Sequence, residues 1–105
     1  MIEKQTLSTQ SLDAADHETC TTLLEKSGVR IVQITSHGQV SPPDFWYDQE
    51  HEEWVTIMRG EATLQIQDQP ALALVTGDHV HLPANCRHRV CHTSQDCIWL
   101  AVHFG

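Results

Sequence analysis

A chain of 105 residues with 14 acidic against 6 basic side chains carries a net charge of −8, and that balance excludes a nucleic-acid backbone as the expected partner, because phosphate binding depends on clustered Lys and Arg. The length is one domain's worth and allows a single modest core without cross-links. No stretch reaches the ~18 consecutive apolar residues of a membrane helix, and the polar N-terminus lacks the apolar centre of a signal peptide, so a cytoplasmic protein that does not enter a membrane is expected.

Residues 1–28 read as an N-terminal arm and short helix, and residues 29–105 as a barrel, within one domain. In HETCTTLLEKSG (17–28), Cys20, Leu23 and Leu24 make an apolar face and Gly28 suits a helix stop. VRIVQITS (29–36) alternates and is β-branched, which predicts a strand. The Pro-Pro pair in HGQVSPPD (37–44) predicts a loop. Residues 52–68 read as two strands broken near Arg59-Gly60. Shorter strands follow at 71–75, 79–83 and 87–92, and 97–104 closes the chain. Turn residues separate them: DQP (68–70), TGD (76–78), ANC (84–86) and TSQD (93–96). Seven or eight short strands at regular spacing predict an all-β fold, a closed antiparallel barrel or a sandwich.

Two clusters stand apart from this pattern. Glu53 opens an apolar strand that ends at Gly60. Gly77, Pro83, Asn85 and His88 punctuate GDHVHLPANCRH (77–88). These spacings resemble the two motifs of the cupins. Glu53 and Gly60 keep the end of the first motif, and Gly77, Pro83 and His88 keep the second. Asn85 stands where the family has Gly, and Asn also tolerates a left-handed turn. His92 stands where the family has Asn. The resemblance covers roughly residues 30 to 104. It implies a cupin jelly roll, an antiparallel β-barrel built around a cavity. SPPDFWYDQEHEEWVTIMRGEA further resembles a group of short single-domain bacterial cupins.

The resemblance also implies a divalent metal held by two HxH histidines, the glutamate and the second-motif histidine. Here the HxH positions fall on Tyr47 and Gln49, or on Trp46 and Asp48. Glu53 and His88 remain as candidate metal ligands. His51 lies two residues before Glu53, on the same face of an extended strand, and could replace a lost ligand. Asp48 and Gln49 also offer oxygen ligands in place of the missing histidines, and Tyr47 and Gln49 are candidate contacts for a bound small molecule. Trp46 and Tyr47 are placed at the cavity mouth.

Other residues read more plainly. A buried Glu53 needs a partner, and Arg59 is ~20 Å along the same strand, so His88, Arg87, water or a metal must serve. His79 and His81 should face outward, because Val80 and Leu82 make the natural core face. His92 reads as a surface residue, and His17, His37 and His103 receive no functional reading. The four cysteines, Cys20, Cys86, Cys91 and Cys97, form no CxxC pair, which argues against a zinc finger and for reduced thiols. Cys91 and Cys97 could face each other across a hairpin. Trp54 and Met58 lie opposite the inward face, which suggests a twofold homodimer.

Two functions stay open. One is a metal-dependent enzyme acting on a small molecule, with a non-standard divalent ion at Glu53 and His88. The other is a metal-free binding or sensor module. A cysteine or serine nucleophile is disfavoured, because no G-x-S-x-G elbow is present.

Overall fold

The protein is described by a computed structural model over residues 1–7 and 18–105. Eight strands follow in order: β1 (Thr19–Lys26), β2 (Val29–Ser36), β3 (Glu52–Arg59), β4 (Glu61–Ile66), β5 (Leu72–Val75), β6 (His79–Leu82), β7 (His88–Thr93) and β8 (Cys97–Phe104). They make two antiparallel sheets, one ordered β1-β2-β8-β3-β6 and the other β5-β4-β7. This is the expected all-β jelly roll. Among the described residues no helix is long and apolar enough to cross a membrane.

The expected N-terminal helix is not formed. Residues 19–26 are strand β1, paired along its length with β2; His17 lies outside the described residues. Two features of the sequence explain the difference. Thr19, Thr21 and Thr22 are β-branched and favour extended backbone. Ser27 and Gly28 both have positive φ, 54° and 81°, between the paired residues Lys26 and Val29. That is the two-residue hairpin turn whose twist matches the flanking strands. Gly28 therefore closes a hairpin rather than stopping a helix.

Register settles which side chains face the core. Directly paired residues of neighbouring strands share a face. Val32, Ala101 and Val55 form one inward row, and Ile34, Trp99 and Ile57 form the next. All of these but Val32 pack with Ala62, Leu64, Ile66 and Leu74 of the second sheet in one cluster. The first row at the open end continues the same face with Arg30, His103 and Glu53. His79 and His81 are exposed, whereas Leu82 is buried, so the apolar pair of β6 does face the core.

The motif glycines have separate jobs. Gly60 joins β3 to β4, where the chain passes from one sheet to the other, with φ +82°. A Cβ there would collide with the Ser94 hydroxyl and lie 3.1 Å from the Cys97 Cα. Gly77, at φ +94°, sits in the β5–β6 turn, and a Cβ there would meet nothing within 4 Å. Its N–H donates to the Ile57 carbonyl at 2.8 Å, which fastens the turn to β3.

Cys91 and Cys97 do not share a hairpin, because β7 and β8 belong to different sheets. All four cysteines are free. Cys97 is fully buried, and burial, followed by the nearby carboxylates of Asp96, Glu18 and Glu61, pushes its thiol pKa up to about 12.

Two outcomes are expected. Gly60→Ala should destabilise by more than about 2 kcal/mol, because backbone strain adds to a collision with the Ser94 hydroxyl and tight approach to main-chain atoms, whereas Gly77→Ala should cost only about 1–2 kcal/mol of strain. Urea unfolding of both variants measures the contrast, and equal losses would contradict the close packing at Gly60. Iodoacetamide at pH 8 should label exposed Cys91 in the native protein and reach Cys97 only after unfolding. Peptide mass mapping reads this directly, and native labelling of Cys97 would contradict its burial.

Candidate functional site

The inward row at the open end of the sandwich is polar where the rows below it are apolar. Glu53, the first inward residue of β3, lies directly across from His103 on β8 and Leu82 on β6. Its carboxylate projects into a cavity of about 260 Å³, walled by Ile34, Val55, Leu64, Leu82, Val90 and Trp99. Tyr47, Gln49, His88, His103, Arg30, Glu18 and Cys20 complete the lining.

Backbone hydrogen bonds bring the two sequence clusters together. The Tyr47 N–H donates to the His88 carbonyl at 2.7 Å, and the His88 N–H donates back to the Tyr47 carbonyl at 3.1 Å. The Asn85 N–H donates to the Gln49 carbonyl at 2.6 Å. Asn85 itself has φ 63° and sits in a turn closed by the Cys86 N–H on the Pro83 carbonyl. That left-handed residue is what the family's Gly would supply, and Asn adopts it at low cost. The loop holding Tyr47 and Gln49 is thus fastened to the turn that delivers His88.

Glu53 has three polar neighbours. Gln49 Nε2 donates to Glu53 Oε1 at 3.1 Å. His88 Nε2 lies 3.7 Å from the same oxygen, and His103 Nε2 lies 3.9 Å from Oε2. Both Glu53 and His88 are nearly buried. Arg59 is not a partner; it pairs with Asp96 at 3.5 Å. Arg87 is turned elsewhere, stacking with Arg89 on the Trp46 ring at 5.5 and 6.0 Å. Trp46 therefore takes no place in the cavity lining. Tyr47 does, with its ring stacked on His88 at 5.3 Å and 21°. Burial, then the charges of Glu18, Cys20 and Glu53, hold the Tyr47 phenol pKa above its ordinary value, so it stays a neutral donor.

The tautomer of His88 follows from its partner. Nδ1 lies 2.8 Å from the Cys86 carbonyl oxygen, and a carbonyl can only accept. Nδ1 therefore carries a proton, and Nε2 is the ring nitrogen turned toward Glu53. Nε2 and Oε1 face each other across 3.7 Å, beyond direct hydrogen-bond reach. Such a gap is filled by a shared proton, a water or a ligand donor.

His51 is placed one step away. It precedes β3, lies outside the cavity lining, and meets His103 with Nε2 2.9 Å from Nδ1. The result is a continuous polar row, His51–His103–Glu53–His88. Burial first, then Arg30 and His51, lower the His103 pKa against the opposing pull of Glu53. A lowered pKa keeps this imidazole neutral near pH 7. Reading the sequence one residue at a time missed His103. The signal was available in strand parity, because Cys97, Trp99, Ala101 and His103 share one face of β8. The remaining histidines lie apart: His92 is exposed, 3.4 Å from Glu61, His81 meets Glu52, and buried His37 contacts the Gln95 carbonyl.

A cupin-type metal centre is not assembled by these residues. Tyr47 and Gln49 occupy the HxH positions, and they present a stacked ring and an amide N–H donor instead of imidazole lone pairs. Among the described residues no group of three His, Cys, Asp or Glu side chains could hold a metal ion.

Comparison with known proteins places the whole arrangement. The Cupin domain family matches residues 31–103. A protein of Ralstonia eutropha JMP134, described as a candidate mannose-6-phosphate isomerase, is 38% identical, with 97% of each chain covered and a TM-score of 0.90. An RmlC-like cupin of Desulfovibrio desulfuricans has the same fold at 17% identity and a TM-score of 0.79, covering 99% of this chain and 97% of its own. The DMSP lyase DddQ of Ruegeria pomeroyi DSS-3 matches at 21% identity and a TM-score of 0.67, over 95% of this chain but 55% of the lyase. A search of curated protein sequences finds no match. With both motifs joined by backbone hydrogen bonds and the family match spanning most of its length, the chain belongs to the cupin family.

Proposed function

We propose that this protein binds a small organic molecule in the cavity, without a metal, and that the ligand presents a hydroxyl to Glu53 and His88. The supporting observation is Glu53 and His88 facing each other across 3.7 Å in the cavity, both nearly buried. A ligand O–H placed beside them donates its proton to one of the two. Gln49 and Tyr47 add polar contacts, and Trp99 with the aliphatic wall takes the ligand's apolar body. About 260 Å³ is just below the usual ~300–1,000 Å³ of small-molecule sites, which points to a ligand of modest size. The resemblance to a candidate isomerase and a lyase supports a small-molecule substrate class. In such a reaction His88 Nε2 would take a proton and Glu53 would stabilise the imidazolium.

One observation favours a second reading, a divalent ion at Glu53 and His88. A ligating histidine commonly donates its other ring N–H to a backbone carbonyl, and His88 does so to Cys86. His51 could contribute only by moving, because it is engaged with His103. The homodimer is likewise a proposal, supported by Met58, which is 44% exposed on the face of β3 turned from the core. Light scattering of the purified chain tests it, and a monomer at all concentrations would refute it.

Elemental analysis of untagged protein, with Glu53→Ala and His88→Ala in parallel, separates the first two readings. The metal-free reading expects less than about a tenth of an equivalent of any transition metal, even after loading with Fe, Mn, Ni, Zn or Cu. A near-stoichiometric metal lost in both variants would overturn it. A ligand-observed NMR screen of small hydroxylated molecules tests the binding itself. Hits should weaken at least about tenfold in Glu53→Gln and in His88→Ala, the loss expected for a buried hydrogen bond to a charged group. Hits unaffected by both variants would place binding elsewhere.

A further inference from the structure

A second cavity, about 390 Å³ and more open, adjoins the first. Its wall includes Arg30, His51, His103, Phe104 and Gly105. Arg30 and His103 line both cavities, so the two share a partition. That partition is the polar row of the sheet: Arg30 on β2 is paired with His103 on β8, which is paired with Glu53 on β3.

The hydrogen-bonding capacity along this row is unevenly used. Glu53 is served by Gln49 and two imidazoles, and Glu18 accepts from the Ser36 hydroxyl at 2.9 Å. Arg30 has five N–H donors and a permanent charge, yet makes no ion pair or side-chain hydrogen bond among the described residues. Glu25 lies opposite it in register on β1, but the two side chains are not within ion-pair distance. The unspent donor of the site is therefore a guanidinium, whose planar fork suits carboxylate and phosphate oxygens.

We propose that the outer cavity is an oxyanion subsite in which Arg30, with His51 and His103 alongside, takes the carboxylate or phosphate end of a ligand whose hydroxyl-bearing body fills the inner cavity. This rests on the small-molecule reading given above and adds the ligand's class: a small organic anion. The partition sets the geometry: the Arg30, His103 and Glu53 backbones stand on neighbouring strands ~5 Å apart, and the long Arg30 side chain reaches the lining of the inner cavity, toward the hydroxyl site. Arg30 is exposed, so its contribution is moderated by solvent and salt.

Backbone amide NMR at low ionic strength tests the assignment with three probes: mandelate, its neutral amide mandelamide, and inorganic phosphate. Mandelate should shift the amides of Arg30, His51, His103 and Gly105 together with those around Glu53 and His88, and bind about three- to tenfold more tightly than mandelamide. Arg30→Gln should erase that preference, bringing mandelate down to the affinity of mandelamide for the same variant, and Arg30→Lys should keep part of it. Phosphate should shift the outer amides alone, and not in Arg30→Gln. Equal binding of mandelate and mandelamide, or a preference that survives Arg30→Gln, would overturn the subsite and leave the inner-cavity reading intact. Phosphate shifts without any response to mandelate or mandelamide would overturn the linked ligand and count against the inner cavity as well. No response to any probe would overturn the subsite.

Discussion

The pleat of β3 forces a carboxylate into the barrel. Val55 and Ile57 must face inward to meet the second sheet, and strand alternation then sends Glu53 the same way. A carboxylate taken out of water alone costs several kcal/mol. The surrounding structure answers that cost from three separate pieces of chain: Gln49 on the loop before β3, His88 on β7 and His103 on β8. One buried charge thus ties the two sheets and a loop together at the open end, where the apolar core has run out. Apolar rows below and a polar row above make the cavity amphipathic without any special loop.

Where the cupin pattern would place imidazoles in the first motif, Tyr47 and Gln49 do different work. The loop that carries them is held by three backbone hydrogen bonds to the second motif. Tyr47 stacks on His88 and fixes the ring plane, while the Cys86 carbonyl fixes its tautomer. His88 is therefore set in orientation by packing and hydrogen bonding together. Gln49 occupies one lone pair of the Glu53 carboxylate with an N–H donor, which suits a carboxylate kept as an acceptor for something else.

Most of the strands were legible in the sequence. Alternation marked β2, β3, β4, β6 and β8, and Gly, Pro and Asn marked the turns between them. β1 was not legible as a strand, because TCTTLLEK has no clean period. Its state is decided by the Ser27-Gly28 turn and by the free edge of β2, which is tertiary context. Glu53 and His88 were legible through spacing, and the outward direction of His79 and His81 followed from their apolar neighbours. His103 was not, since its role depends on which strand lies beside β3. Once β8 is known to pair there, Glu53 against His103 follows from counting. His51 shows the opposite case. Its parity with Glu53 was computed for a strand that begins only at Glu52, so the side chain escapes the inner face and meets His103 from outside.

The same register explains why the site is graded in charge. Along β2, β8 and β3 the inward rows run from Ile34–Trp99–Ile57, through Val32–Ala101–Val55, to Arg30–His103–Glu53. Each step of two residues moves ~6.6 Å toward solvent. Desolvation falls along that path, so each charge appears only where water or a partner can meet it. Glu53 stands on β3, between β8 and β6, with its carboxylate nearly buried, and needs its polar partners. Arg30 stands on β2, between β1 and β8, but is exposed and solvated enough to remain charged without one. A molecule that enters this end meets the guanidinium before the carboxylate. For an acidic protein with a net charge of −8, that order matters. The long-range field repels an anion, and only a local, exposed cation at the entrance can offset that repulsion at close range.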